Sequence, residues 1–266
     1  MEQGKDLRIG IIGGAGWLGG AMAAAMLESG IVAPENLALS YRSTRPDRFP
    51  CAFWTQDNQA LANRSDIVIL SVRPSDWQDL SVTADGKLVI SVMAGIRLAA
   101  LGDRHRTHRA VRSLPNAAAE VRKSYTPWLA ADGIDDADRA IIRAIFDACG
   151  LQDEVRSEAE IDYLTGLTGS GPAFPALLAD AMMADAVSRG LDRHVARRAV
   201  NMLLIGAGRM LEQRDDCPAE TVRTFLDYRG TTAAAIEAMT RAGFRAAVAE
   251  GLTAAQEKSL RLGDAS

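Results

Sequence analysis

Cysteine and histidine are both scarce, with three of each in 266 residues. Cys51, Cys149 and Cys217 are far apart and fit neither a disulfide framework nor a zinc site, so each is expected to be a small core or surface residue. No metal is expected. His105 and His108 fall in the charged stretch Asp103–Arg109 and His194 on an Arg-rich helix, so all three are expected in solvent. Basic charge is not in excess either: a net charge of −4 argues against nucleic acid as the main partner. No apolar run reaches membrane length, and Met1–Arg8 is charged and polar rather than signal-like. Neither a membrane nor a nucleic acid is expected as partner, and the location is expected to be cytoplasmic.

What remains is material for a real core, since 48% hydrophobic residues beside 24% charged ones can build one large domain or two small ones. Leu7–Ile12, Leu37–Ser40, Asp66–Val72 and Leu88–Val92 read as strands. The last two are continuous apolar runs of the kind buried on both faces of a parallel sheet. Arg109–Leu114 and Tyr125–Ala130 are further strand candidates, and helical patterns between strands imply a parallel α/β sheet. After about residue 155 only helical periodicity is expected, over Asp162–Leu167, Pro172–Ser188, Arg193–Gln213, Pro218–Asp227, Thr232–Ala242 and Arg245–Arg261. Breaks fall at Gly190, Asp215–Pro218 and Gly243. The helices at Pro172–Ser188 and Arg193–Met210 are apolar around most of their circumference, which calls for burial against a partner subunit.

Between the first strand and first helix, Gly14-x-Gly16-x-x-Gly19 has dinucleotide spacing, although Gly13 leaves the register uncertain by one residue. The first glycine permits a tight turn, the second a close approach of pyrophosphate, and the third the packing of helix on strand. The next strand ends in Ser40-Tyr41-Arg42-Ser43-Thr44-Arg45, without the acidic residue that would hold an NAD ribose. Hydroxyls and arginines suit a 2′-phosphate, so NADP(H) is expected ahead of NAD(H). The whole reads as an N-terminal Rossmann-type doubly wound parallel sheet over residues 1–155, followed by an all-helical dimerisation and substrate domain over 156–266.

In the helical half, Arg229-Gly230-Thr231-Thr232 opens a helix and offers free backbone N–H groups and two hydroxyls. It is either an ordinary N-cap or a seat for a carboxylate. Gly169-Ser170-Gly171-Pro172 likewise reads as a helix start or as a site border. For Glu158 and Glu160, before a helix, the expected role is to complement its dipole.

Taken in order, these segments resemble the pyrroline-5-carboxylate reductase family over nearly the whole chain. The resemblance rests on Ile9–Met22, Thr55–Asn58, Leu70–Pro74, Val89–Ile96, Arg112–Asn116, Thr168–Ala173, Gly206–Leu211, Gly230–Thr232 and Gly243–Ala247. It implies NADPH-dependent reduction of a cyclic imine carboxylate, 1-pyrroline-5-carboxylate to proline, by a homodimer joined through its C-terminal helices, or a higher homo-oligomer. The implied cofactor contacts are Gly14, Gly16, Trp17, Leu18, Gly19, Ser40, Arg42, Ser43, Asn58, Val72, Arg73, Pro74, Ala94, Gly95 and Asn116. Gly171, Arg229, Gly230 and Thr231 would bind substrate, with Thr231, Thr232 and Ser170 at the reaction centre. Hydride transfer to an imine needs no obligatory side-chain acid, which accords with the shortage of histidine.

Several positions depart from the family pattern. Its usual Ser-Pro-Gly before Gly-Thr-Thr is Asp227-Tyr228-Arg229 here, Met-Pro-Asn-Thr-Pro has become Leu114–Ala118, the Gly-Glu-Gly region reads Arg122-Lys123-Ser124, and the nicotinamide-strand lysine is Arg73. Alternatives are therefore a reductase of another imine and a catalytically silent NADP-binding member with a regulatory role. A β-hydroxyacid dehydrogenase is disfavoured, because Lys258 is the only lysine after Lys123.

Overall fold

The computed structural model describes residues 7–214 and 216–264. Met1–Asp6 and Asp215 of the expected break therefore lie outside the described residues. The alternation runs β1 (Ile9–Ile12), α1 (Trp17–Glu28), β2 (Leu37–Ser40), β3 (Phe53–Thr55), α2 (Asn58–Arg64), β4 (Ile67–Leu70), α3 (Pro74–Trp77), β5 (Leu88–Ser91), α4 (Leu98–His105) and β6 (Ala110–Ser113). Then come β7 (Ser124–Ala130), α5 (Asp136–Asp147), β8 (Gly150–Glu154) and α6 (Glu158–Leu164). The eight strands form one sheet in the order β3-β2-β1-β4-β5-β6-β7-β8. Its first six strands are parallel, in the Rossmann order, with the strand order reversing between β1 and β4.

Apolar strands make this arrangement because both faces are covered. In β4, Ile67 and Ile69 join one buried cluster with Met22, Met26, Val111 and Phe146, while Val68 and Leu70 join another with Leu61, Trp77 and Leu101. Period-2 alternation sends neighbouring residues to opposite faces, and here each face carries helices. Side chains of Asp57, Asp135, Ser157 and Asp192 accept the first-turn N–H groups of α2, α5, α6 and the later α8 (Arg193–Gln213).

Three features differ from the expectation. Strand β7 runs antiparallel to β6, because segment 114–123 is too short for a crossover helix. Strands β3 and β8 are additional; one is three residues long and the other is the polar run Gly-Leu-Gln-Asp-Glu at the sheet edge. Helix α6 starts at Glu158 rather than Asp162, and a π-helical turn, Thr165–Gly169, follows it.

The rest of the chain is helical: α7 (Ala173–Ser188), α8, α9 (Pro218–Asp227), α10 (Thr231–Arg241) and α11 (Phe244–Asp264). The chain divides into two compact units, residues 1–170 with 254–266, and residues 171–253. In the helical unit α7 packs on α8 and α9 on α10. Much of the apolar surface anticipated for α7 and α8 is uncovered in the single chain, with Leu177 70%, Met202 67% and Ile205 59% exposed.

His105 corrects the expectation of a solvated imidazole, for it is fully buried. The last turn of α4 carries it inward, where its Nδ1 lies 2.8 Å from the Val82 carbonyl and its Nε2 accepts the Trp77 indole N–H at 3.0 Å. These partners require the neutral ring with the proton on Nδ1. Burial is the main cause that pushes its pKa below the ordinary 6.5. Cys149 is also buried, which raises its thiol to about 11, whereas Cys51 and Cys217 are exposed. The unfolded chain takes up the His105 proton at a higher pH than the folded one. The stability it contributes is full above about pH 6.5 and is lost as the pH falls from there through the lowered folded value. Urea midpoints measured at about pH 7.5 and about pH 5.5 are expected to fall in the parent and to fall less in His105→Gln. Equal falls would exclude this histidine as the cause.

Candidate active site

The carboxyl ends of β1, β2, β4 and β5 share one edge of the sheet. After β1 the chain turns at Gly13, whose φ of +85° is left-handed and whose missing Cβ would lie directly against the Ser71 carbonyl. The extra glycine is thus the residue this turn requires. A Cβ at Gly19 would stand 2.7 Å from the Gly13 carbonyl oxygen, so the third glycine of the motif lets α1 close on the loop. Gly16 is the N-cap of α1 and has no side chain with which to cap, so the first-turn N–H groups at Trp17 and Leu18 receive no side-chain cap. Ser40 is buried and fastens the loop: its Oγ accepts from Gly13 N at 3.0 Å and its carbonyl from Ala15 N at 3.1 Å.

The ends of β1, β2 and β4 border a cleft of about 580 Å³. Of the expected cofactor contacts, Gly16, Ser40, Arg42, Ser43, Asn58, Val72 and Arg73 line it together, with Gly13, Thr44, Asp76 and Asp79. Gly14, Trp17, Leu18 and Gly19 belong to the turn and first helical turn beside it, and Pro74 opens α3. Arg45, Ala94, Gly95 and Asn116 are not in its lining. Asn58 Oδ1 is buried with no hydrogen-bond partner among the described residues. An orphaned acceptor in a polar cleft fits a ligand that brings a donor. Arg42 is held at its backbone by Gln56, which donates to the Arg42 carbonyl at 2.8 Å, while its guanidinium reaches toward Asp76.

Arg48 escaped the sequence reading. It donates to the carbonyls of Ala15 and Gly16, each at 3.2 Å, and occupies the space that Gly20 leaves open. The one sequence signal was a fourth glycine beyond the motif. Trp17 remains 57% exposed and donates from its indole to Glu120 at 2.9 Å.

Next along the edge, Asn116 is committed internally. Its Oδ1 accepts from Ala118 N at 2.9 Å, and its Nδ2 donates to the Thr168 carbonyl, also at 2.9 Å, in the π-helical turn. Ser170 closes that turn by donating its N–H to the Thr165 carbonyl at 3.1 Å. Beneath lies a buried ion network. Arg112 on β6 pairs with Glu158 and, at 2.5 Å, with Asp162. Glu158 also accepts the Leu98 N–H at the start of α4, at 2.9 Å, and the Ser259 hydroxyl near the end of α11 approaches Asp162 at 3.3 Å. The expectation that Glu158 only complements a helix dipole is corrected: its side chain reaches β6 and α4. Gly95, at φ +79°, takes the same end of α11, since a Cβ there would stand 2.7 Å from Leu262 Cβ.

The Gly-Thr-Thr corner lies in the helical unit. Gly230 is the N-cap of α10, so Thr231 and Thr232 are its first two helical residues and not its caps. Both threonines are exposed, and Gly230 contributes no capping side chain to the N–H groups of that first turn. Arg229 adopts a left-handed φ of +53°, unusual for a branch-free cation, and Tyr228 is 86% exposed.

The matched segments run through both halves. Residues 158–262 match the family described as Pyrroline-5-carboxylate reductase dimerisation, and residues 8–95 that described as NADP oxidoreductase coenzyme F420-dependent. A pyrroline-5-carboxylate reductase of Methanosarcina acetivorans is 33% identical over 271 residues, covering 97% of this chain and 99% of the relative. One of Synechocystis is 31% identical over 266 residues, with the same coverages. The chain belongs to the pyrroline-5-carboxylate reductase family. A solved pyrroline-5-carboxylate reductase from Coxiella burnetii, 27% identical, superimposes with a TM-score of 0.85 over 97% of this chain and 98% of that one.

Members of the pyrroline-5-carboxylate reductase family are oxidoreductases acting on a C=N bond, and the sheet edge described above must hold its shape for such work. Replacing Arg112 by Met strands Glu158 and Asp162, one of them buried, without a counter-ion. Removing one partner from a buried ion network destabilises by about 3–5 kcal/mol, so denaturant melts of Arg112→Met are expected to show a loss on that order. A variant as stable as the parent would mean that the network does not hold the edge together.

Proposed function

We propose that this chain reduces 1-pyrroline-5-carboxylate to proline with NADPH. The observation that carries the reading is the uncapped N-terminus of α1 opening beside a cleft rimmed by Arg42 and Ser43 and floored by the orphaned Asn58 Oδ1. Those groups suit a dinucleotide with a 2′-phosphate. First-turn N–H groups and the helix dipole favour a diphosphate, a guanidinium with neighbouring hydroxyls suits a phosphate monoester, and the buried amide oxygen accepts from the nucleoside. Bound NADPH supplies the hydride. The match of residues 8–95 to an NADP oxidoreductase family supports the same cofactor.

The chain's own part is orientation and charge. Uncapped N–H groups at Thr231 and Thr232 would hold the substrate carboxylate, aided by the positive end of α10. The imine nitrogen, arriving protonated, loses its positive charge as its carbon gains hydride, and the Thr231 hydroxyl would accept from its N–H. Arg229, fixed by its left-handed backbone just before the corner, adds a second cation for a carboxylate. That residue also supports a second reading, reduction of a different imine acid, because a bulky cation stands where the family has glycine. The uncovered apolar residues of α7 and α8, with the dimerisation-family match, support a homodimer built on these helices.

The test is the loss of NADPH absorbance with pyrroline-5-carboxylate, beside a six-membered imine carboxylate. Turnover of the five-membered ring is expected; turnover of the larger ring alone would favour the second reading, and NADPH binding without any turnover would point to a silent member. Thr231→Ala is expected to lower kcat by about tenfold, the value of one hydrogen bond at the reacting centre, with NADPH affinity intact. Equal loss of NADPH binding would show that the corner serves the cofactor instead.

A further inference from the structure

The cofactor cleft carries an internal counter-ion. Asp76 lines it from the α3 side, and its Oδ2 lies 3.5 Å from Nη1 of Arg42, which lines it from the β2 side. Arg42 is the more exposed partner, its side chain 87% exposed against 44% for Asp76. Asp76 sits on the anchored element. Its N–H donates to the Arg73 carbonyl at 2.9 Å, and the next residue, Trp77, is buried and donates to His105. Arg104 lies over the Trp77 ring at 4.4 Å and donates to the carbonyls of Trp77 and Gln78. The carboxylate is thus mounted on a short helix anchored through its buried tryptophan, whereas the guanidinium ends a long, exposed side chain.

Resting on the NADPH reading, we propose that Asp76 is a specificity-determining residue that moderates the preference for a 2′-phosphate over a 2′-hydroxyl. It pairs with Arg42 across the cleft, so a 2′-phosphate must displace a carboxylate before it gains the guanidinium. A nucleotide with a bare 2′-hydroxyl does not compete for Arg42 and meets no such opposition. The preference for NADPH over NADH is therefore set by a competition inside the protein, and Asp76 positions Arg42 without itself needing to touch the phosphate.

Asp79 provides the contrast. It lines the same cleft with the same charge but carries no ion pair among the described residues. If only net charge mattered, losing either carboxylate would have the same effect. If the pair matters, Asp76 alone is special, because a charge out of contact contributes less than one held in an ion pair.

The experiment is equilibrium binding of NADPH and of NADH to the purified full chain, for the parent, Asp76→Asn, Asp79→Asn, Arg42→Ala and the double variant Arg42→Ala with Asp76→Asn. Asp76→Asn is expected to raise the NADPH-over-NADH affinity ratio by about threefold, the scale of one exposed ion pair. Asp79→Asn is expected to leave it within about 1.5-fold, since that carboxylate is not the one paired with Arg42. In the Arg42→Ala background, where NADPH binds more weakly, Asp76→Asn is expected to change nothing. A merely structural role for Asp76 would shift both nucleotides together and leave their ratio alone. An unchanged ratio in Asp76→Asn, an equal change in Asp79→Asn, or the same change without Arg42 would each overturn the inference. Failure of the parent to bind NADPH at all would instead overturn the function on which it rests.

Discussion

A buried guanidinium sets the geometry on which the rest of the sheet edge depends. Arg112 leaves solvent entirely at the end of β6 and is met by Glu158 and Asp162, both from α6. Taking such charges out of water is expensive, and their attraction returns that free energy only where the geometry is good. The network therefore contributes less to net stability than to uniqueness of arrangement. Through Glu158 it fixes the start of α4, and through Asp162 and Ser259 it fixes the end of α11. The Ala94–Gly95 turn, the Asn116 tether and the π-helical turn bearing Ser170 are then located relative to one another. One arginine thus ties β6 to α6 and, through its partners, to α4 and α11.

The parts legible in the sequence are those whose physics is local. Continuous apolar runs such as Ile67–Leu70 can only be strands buried on both faces, and the glycine spacing from Gly14 to Gly19 has meaning only between a strand and a helix. Helices α7 to α11 followed from periodicity, within a few residues at each end. What escaped was decided by tertiary contact. His105 looked solvated among charged neighbours, but Trp77 and Val82, far away in sequence, turn it into a core residue. Strand β8 is too polar to read as a strand, and it exists because β7 offers it a ladder. Glu158 looked like a helix-end charge until β6 came beside it. Arg48 had no signal beyond Gly20, because its partners are backbone carbonyls that carry no mark in sequence.

Several residues foreseen as ligand contacts are occupied in building the scaffold: Ser40 staples the glycine turn, and Asn116 spends both amide atoms on the protein. Helices α1 and α10 begin at glycines that cannot cap them, and α3, α4 and α7 likewise lack an N-cap side-chain bond, whereas α2, α5, α6 and α8 have one.

The division of the chain into two units has a consequence for its synthesis. The sheet unit includes residues 254–266 as well as 1–170, so it is interrupted by the whole helical unit. On a ribosome the strands emerge first, yet Ser259 and Leu262, which meet Asp162 and Gly95, emerge only after residues 171–253. The nascent sheet must wait with the Gly95 surface uncovered and Asp162 lacking one partner. Completion of the first unit is thus delayed until after the second has been made, and the order of emergence, amino end first, is not the order in which the domains can be finished.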